Sequence, residues 1–265
     1  GWDRPFELPE DQEQKVLKCV NNNPNTVVIV TSGSGIRMTG WNEKARAIIY
    51  AWYPGQIGNQ ALAEILIGKV NPSGKLPITI EKEFKDSPGY GYIPEGESLY
   101  FDWNGEGERA HPVYNIRYKE GIFVGYRWYE SQKIEPLYPF GHGLSFTSFS
   151  YSDLQVTPGK FSEVDTVSVT FSVKNVGKCQ GAEIVQLYVS DLESSLPRPP
   201  KELKGLQKIV LEPGEIKAVT LKLSQKDFAF WSPAIKNWTT EKGKFVILIG
   251  SSSQDIRLSK EIELL

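Results

Sequence analysis

The residues able to do chemistry in this chain are sparse, and none of them sits in a pattern that defines a reaction. His142 lies between Gly141 and Gly143 in a turn-rich stretch, Leu137 to Leu144. Its imidazole is a potential general acid or base, but no carboxylate in sequence reach orients it, which favours a structural role. Gly33-Ser34-Gly35 follows the apolar run TVVIVT, at the kind of strand end where open α/β sheets bind ligands. A phosphate loop would need a Gly-Lys-Ser/Thr ending, which is missing, so this loop reads as structural or sugar-facing. Tyr126, Trp128 and Tyr129 cluster beside Arg127, a density that suits core filling better than a sugar platform. With 2 histidines and 2 cysteines standing far apart, no metal-ligand spacing occurs, and neither a metal nor a cofactor is expected. A Gly-x-Ser-x-Gly elbow and a dinucleotide Gly-x-Gly-x-x-Gly are both absent. Carboxylates are plentiful, but spacing alone selects no acid-base pair.

The elements that must position these residues are easier to read. Glu10, Asp11 and Glu13, followed by Lys15 and Lys18, open a helix after Pro9, with Val16, Leu17 and Val20 as its apolar face. Thr26 to Thr31 is continuous and β-branched, which predicts a strand covered on both faces. Trp41 to Arg46 is a short crossover and Ala47 to Trp52 a second strand. Gly58 to Gly68 predicts a helix with Ala61, Leu62, Ile65 and Leu66 on one face, closed by a left-handed Gly68. Asn71-Pro72-Ser73-Gly74 then turns into a third strand, Leu76 to Ile80. This alternation argues a mainly parallel sheet, and three strands suit the second half of a larger α/β domain.

From Glu81 to about Pro112, glycine, proline, acids and tyrosines crowd together. That segment reads as a surface connection in preference to a loop lining a cleft. From Phe149 onward the pattern changes to a period of two. Val167, Val169, Phe171 and Val173 alternate with polar residues, and similar runs recur at Val185 to Val189, Val219 to Leu223 and Phe245 to Ile249. Lesser runs at Phe149 to Val156, Leu203 to Leu211, Phe228 to Trp231 and Ser259 to Leu264 bring the count to seven or eight. This predicts a β-sandwich of immunoglobulin or fibronectin type III kind. The expected organisation is therefore 1–85 as the second half of an α/β sandwich domain, 86–148 as connection and junction, and 149–265 as the all-β domain.

Composition limits the partners. The 265 residues suit two domains, 40% of them hydrophobic and 23% charged. A formal charge of -2 gives no electrostatic case for nucleic acid or an anionic membrane surface, and no apolar run approaches the roughly 20 residues of a membrane span. Cys19 and Cys179 fall in different expected domains, which argues against a disulfide. The 1 methionine is Met38, so Gly1 is expected to follow upstream polypeptide and the usual evidence on localisation is lost.

Four motifs carry a resemblance. Ala51-Trp52-Tyr53-Pro54-Gly55-Gln56, Gly68 to Pro77 (GKVNPSGKLP), Tyr118 to Tyr129 (YKEGIFVGYRWY) and Tyr138 to Thr147 (YPFGHGLSFT) resemble, in order, motifs of glycoside hydrolase family 3, the β-glucosidase and β-xylosidase group. The resemblance continues through that family's fibronectin type III-like domain. It implies a retaining glycosidase plan, with one carboxylate as nucleophile and a second as acid and base, acting on a β-glucoside or related oligosaccharide. It also implies that the nucleophile belongs to a (β/α)8 barrel outside this chain, and that the acid-base glutamate precedes a motif resembled by Gly1-Trp2-Asp3-Arg4. On that basis the chain holds no catalytic carboxylate, and an isolated chain is expected to be inactive. Asp3 and Arg4 are the substrate-site candidates, either orienting groups near the active site or forming a frayed terminus. A secreted or periplasmic location is what the family favours. Asn59, His142 and Phe146 depart from the family pattern where glycine, tyrosine and tyrosine are usual. The rival class is a carbohydrate- or protein-binding structural module without hydrolase activity.

Overall fold

The computed structural model describes residues 5–91, 118–163 and 165–265. Helix α1 (Glu10–Asn22) starts where Pro9, still extended at ψ 138°, offers its carbonyl to the N–H groups of Gln12 and Glu13. Pro9 thus caps the helix from outside instead of forming its first helical residue. Strands β1 (Val27–Val30) and β2 (Ala47–Tyr50) pair in parallel, Val27 against Ala47 and Val30 against Tyr50, across a short 3-10 turn at Asn42–Lys44. Val16, Leu17 and Val20 of α1 pack with Val28, Val30, Met38, Trp41 and Ile80 in a core that reaches Leu137 and Tyr138.

The expectation that β1 is covered on both faces is not met. Val27 and Ile29 remain 39% and 41% exposed, because α1 packs on one face only and no described element lies on the other. Helix α2 (Gly58–Leu66) forms as expected, and Gly68, at φ +73°, ends it while the N–H groups of Lys69 and Val70 return to the Glu64 carbonyl. Its predicted apolar face is nonetheless largely open: Leu62 and Ile65 are half-buried, whereas Ala61 and Leu66 are exposed.

Leu76 to Ile80 does not become a third parallel strand. Pro77 lacks an N–H, and the segment instead meets Leu137 to His142 from the opposite direction. Leu76 donates to the His142 carbonyl, Gly141 to Leu76, and Ile80 exchanges bonds with Tyr138. The α/β part therefore holds a parallel pair plus an irregular antiparallel contact. Helix α3 (Tyr126–Ser131) precedes this return segment.

The remainder is all β. Strands β3 (Phe149–Thr157), β5 (Val167–Asn175) and β8 (Ile216–Leu223) make one antiparallel sheet. Strands β4 (Lys160–Phe161), β6 (Gly181–Asp191), β7 (Glu202–Leu211), β11 (Gly243–Gly250) and β12 (Ile256–Leu264) make the other, in the order β4-β12-β11-β6-β7. The alternating residues read from the sequence form the core between them, including Val167, Val169, Phe171, Val173, Leu187 and Ile247. The Glu212 to Glu215 turn carries Gly214 at φ +80°, as a type II turn requires. Phe228 was expected in a strand. It instead closes a one-turn helix, α4 (Gln225–Phe228), and sends its ring into the core, where Phe161 and Phe245 surround it. Strands β9 (Phe230–Ser232) and β10 (Asn237–Thr239) form a separate hairpin.

Two seams join the α/β part to the sandwich. In the first, the turn before Leu76 plugs into β6: Lys75 pairs with Glu183 at 3.2 Å and donates to the Gly143 carbonyl, while Asn71 donates to the Gln180 carbonyl and accepts from Ser145 and the Phe146 N–H. Gly143 is required there, since a Cβ would lie 2.2 Å from the Gly74 carbonyl oxygen. In the second, α3 docks on β7. The Tyr126 ring stacks on Phe140 and its hydroxyl accepts the Leu203 N–H, Arg127 pairs with Glu202, and Glu130 pairs with Lys201 at 2.7 Å.

Candidate functional site

The parallel register brings the carboxyl ends of β1 and β2 together, and the chain breaks from both strands there. Ser32 donates to the Ser34 carbonyl at 2.8 Å, which folds Ser32 to Gly35 into a tight loop, and the Tyr50 hydroxyl donates to the same carbonyl. Trp52 leaves β2 at φ +54°, an unfavourable conformation for a bulky L-residue, with its ring against Tyr50 at 4.8 Å between centroids. This turn places the exposed Tyr53 ring over Gly33, where a Cβ would approach Cε2 to 2.9 Å.

Two further segments converge on this edge. The Arg37 N–H donates to the Phe6 carbonyl, which ties the beginning of the described chain to the loop. The Phe6 ring stacks on Phe84, and Phe84 meets Tyr90 edge-on. A Cβ on Gly35 would sit 3.7 Å from Phe6 and 3.9 Å from the Glu81 carboxylate. Burial pushes the Glu81 carboxyl above its ordinary value, and the nearby Asp86 acts in the same direction, while its own backbone N–H and the Tyr129 hydroxyl oppose the shift. The Tyr129 phenol is likewise pushed up by burial and by Glu81. A serine loop, the exposed rings of Tyr53, Phe84 and Tyr90 and a carboxyl group can bind a polyhydroxylated ligand.

Glu81 supplies a test through pH. Its folded form favours the proton, so its contribution to stability is full below the ordinary value of 4.5 and is lost as pH rises through the elevated folded value. Glu81→Gln keeps the neutral shape and removes the titration. The expected result is a flatter stability curve from pH 4 to 8, with the variant at least as stable as the parent at pH 8 in urea unfolding. An unchanged slope would assign the titration elsewhere.

The sequence-derived candidates fare differently. Asp3 and Arg4 lie outside the described residues, as does most of the glycine- and tyrosine-rich excursion. His142 is packed against Tyr138, with ring centroids 5.4 Å apart, and burial together with Lys75 holds its imidazole below the ordinary range. It is a neutral wedge in the first seam. Tyr126 and Tyr129 are packed inward and the Trp128 indole donates to the Asp86 carbonyl, so the aromatic cluster serves the fold. Sequence reasoning missed Glu81, Phe84 and Tyr90 as members of the edge. Their only local signal was their place at the start of a long excursion, since their neighbours come from elsewhere in the chain.

The architecture is a small parallel α/β unit with its loops gathered at one strand edge, fused to a fibronectin type III-like sandwich. The family model for the glycosyl hydrolase family 3 C-terminal domain matches residues 1–126, and that for the fibronectin type III-like domain matches residues 183–253. The chain belongs to glycoside hydrolase family 3. It is 44% identical, over 99% of its length, to thermostable β-glucosidase B of Acetivibrio thermocellus, covering 33% of that protein. To β-glucosidase BoGH3A of Bacteroides ovatus it is 38% identical over 97% of its length, again covering 33%. Among solved structures, a family 3 β-glucosidase of Bifidobacterium adolescentis superposes with a TM-score of 0.86 at 34% identity, over 98% of this chain and 36% of that one. β-Glucosidase 3B of Thermotoga neapolitana in complex with α-D-glucose gives 0.86 at 30% identity, over 99% and 36%. The chain thus spans about a third of the length of the curated relatives it matches.

Proposed function

We propose that this chain is the carboxyl-terminal part of a retaining β-glucosidase that releases terminal non-reducing β-D-glucosyl residues. The observation that carries the reading is the 44% identity to a β-glucosidase across 99% of the chain. In this reading the nucleophilic aspartate and the acid-base glutamate both lie upstream, on a (β/α)8 barrel and on the first half of the α/β sandwich. Residues 1–85 complete that sandwich, 86–148 connect, and 149–265 form the fibronectin type III-like domain. Asp3 and Arg4 are the candidates for the groups that border the sugar site. The two-stranded parallel sheet, the open faces of β1 and α2, and a groove of about 600 Å³ beside β1 lined by Leu8, Val16, Val28 and Trp41 support a covering neighbour. The Trp41 indole N–H, buried and without a hydrogen-bond partner among the described residues, supports it as well.

The chain alone is expected to show no turnover of an aryl β-glucoside above a blank. Co-expression with the upstream polypeptide of its parent gene is expected to restore turnover. Hydrolysis by the isolated 265 residues would overturn the assignment of both catalytic groups, and an inactive reconstituted complex would overturn the hydrolase reading itself.

A further inference from the structure

From the hairpin of β9 and β10 we infer a second carbohydrate-binding site, a tryptophan platform for a β-linked gluco-oligosaccharide, remote in sequence from the strand edge described above. Trp231 and Trp238 are direct cross-strand partners, so the period of two sends both indoles to the same side of the hairpin. Phe230, one residue earlier, faces the other way and is buried, whereas Trp231 and Trp238 stay 50% and 63% exposed. Phe230 is therefore covered, with the Arg198 guanidinium over its ring, and the tryptophans are left in water. Their rings meet at 77° with centroids 6.1 Å apart, one standing on edge against the other.

The hairpin that carries the rings is anchored on both sides. The Arg198 guanidinium stacks on Phe230 at 5.4 Å and donates to the Phe228 carbonyl, and it is itself fixed by Asp191 and Glu202. Beyond β10, Glu241 accepts from the Ser195 backbone and hydroxyl, and Thr240 donates to Glu163 at 2.7 Å. Aromatic faces carried on an anchored hairpin lose little entropy on binding.

The size of the patch selects the ligand. Two half-exposed indoles offer on the order of 300 Å², well below the roughly 800 Å² per partner of a stable protein interface. One or two pyranose rings match that area. A β-linked glucosyl unit carries its hydroxyls around the rim and its C–H groups on the two flat faces, which suit the electron-rich face of an indole. The inference rests on the hairpin alone and stands apart from the catalytic reading, because an isolated chain that hydrolyses nothing can still bind.

Titration of the 265-residue chain with cellopentaose, followed by the indole N–H signals in ¹⁵N-edited NMR, tests it. Two of the indole signals are expected to shift saturably, with a Kd at or below about 1 mM. Trp231→Phe and Trp238→Phe, which keep a ring for the fold, identify them by each deleting one. Trp231→Ala and Trp238→Ala are each expected to weaken binding about tenfold. Absence of saturable shifts with cellopentaose overturns the site, as do shifts confined to other tryptophans. Concentration-dependent self-association that disappears in either phenylalanine variant would also overturn it, by making the patch an interface between copies.

Discussion

Lys75→Met is expected to destabilise the protein by about 3–5 kcal/mol, because it strands a buried carboxylate between two parts of the fold. Lys75 and Glu183 are 12% and 7% exposed and 3.2 Å apart, and Glu183 also accepts from the Tyr151 hydroxyl. That hydroxyl cannot replace a full positive charge. Behind it the Arg257 guanidinium lies over the Tyr151 ring at 4.9 Å, but its hydrogen bonds go to Asp255 and the Phe149 carbonyl, so it reaches Glu183 only through space and forms no direct pair with it. The large effect comes from desolvating an unpaired charge, not from the net worth of the pair, so removing both charges should largely reverse it. Lys75→Met combined with Glu183→Gln keeps an acceptor for Tyr151 and is expected to recover most of the loss. Urea unfolding of the three variants decides the matter. Single and double variants within about 1 kcal/mol of the parent would mean that water reaches this seam.

Asn175→Leu should be nearly as damaging, by about 3–5 kcal/mol, as four hydrogen bonds disappear and leave buried groups unmatched. Asn175 ends β5 with a fully buried amide. Its nitrogen donates to the Cys179 and Leu211 carbonyls at 2.8 and 3.0 Å, and its oxygen accepts from the Thr147 hydroxyl and the Gly177 N–H at 2.6 and 3.0 Å. One side chain thereby binds the entry of β3, the turn before β6 and the end of β7. Asn175→Asp separates its halves. The carboxylate keeps the two acceptor bonds but faces two carbonyl oxygens, so protonation, which restores one donor, should raise stability as pH falls. Thermal midpoints at pH 5 and pH 8 check this: the Asp variant should gain on the Leu variant toward pH 5. Equal midpoints at both values would show that the amide's donors contribute little.

Both residues illustrate what makes this architecture hold as a unit. Lys75 belongs to the Gly-Lys-Leu-Pro turn and Asn175 to a strand end, and each contributes its side chain to a neighbour distant in sequence. The family motifs around residues 68–77 and 138–147 accordingly serve as a latch between the α/β part and the sandwich. They do not themselves form the strand edge with its serine loop and Glu81.

How much of this could be read from the chain alone follows from the range of the forces involved. The alternation of Val167 to Val173 and the Gly68 helix end were legible because each depends on dihedral preference and burial period within a few residues. The order of the four motifs established the family for the same reason, being written in contiguous residues. Only the tertiary structure decided that Leu76 to Ile80 would meet Leu137 to His142 antiparallel, that β1 would keep an open face, and that Glu81 would find Tyr129 and Phe6 beside it. These outcomes are contacts between segments whose local sequences carry no record of each other. A charge such as Glu183 looks like any solvated carboxylate until folding removes the water around it and places one lysine within reach.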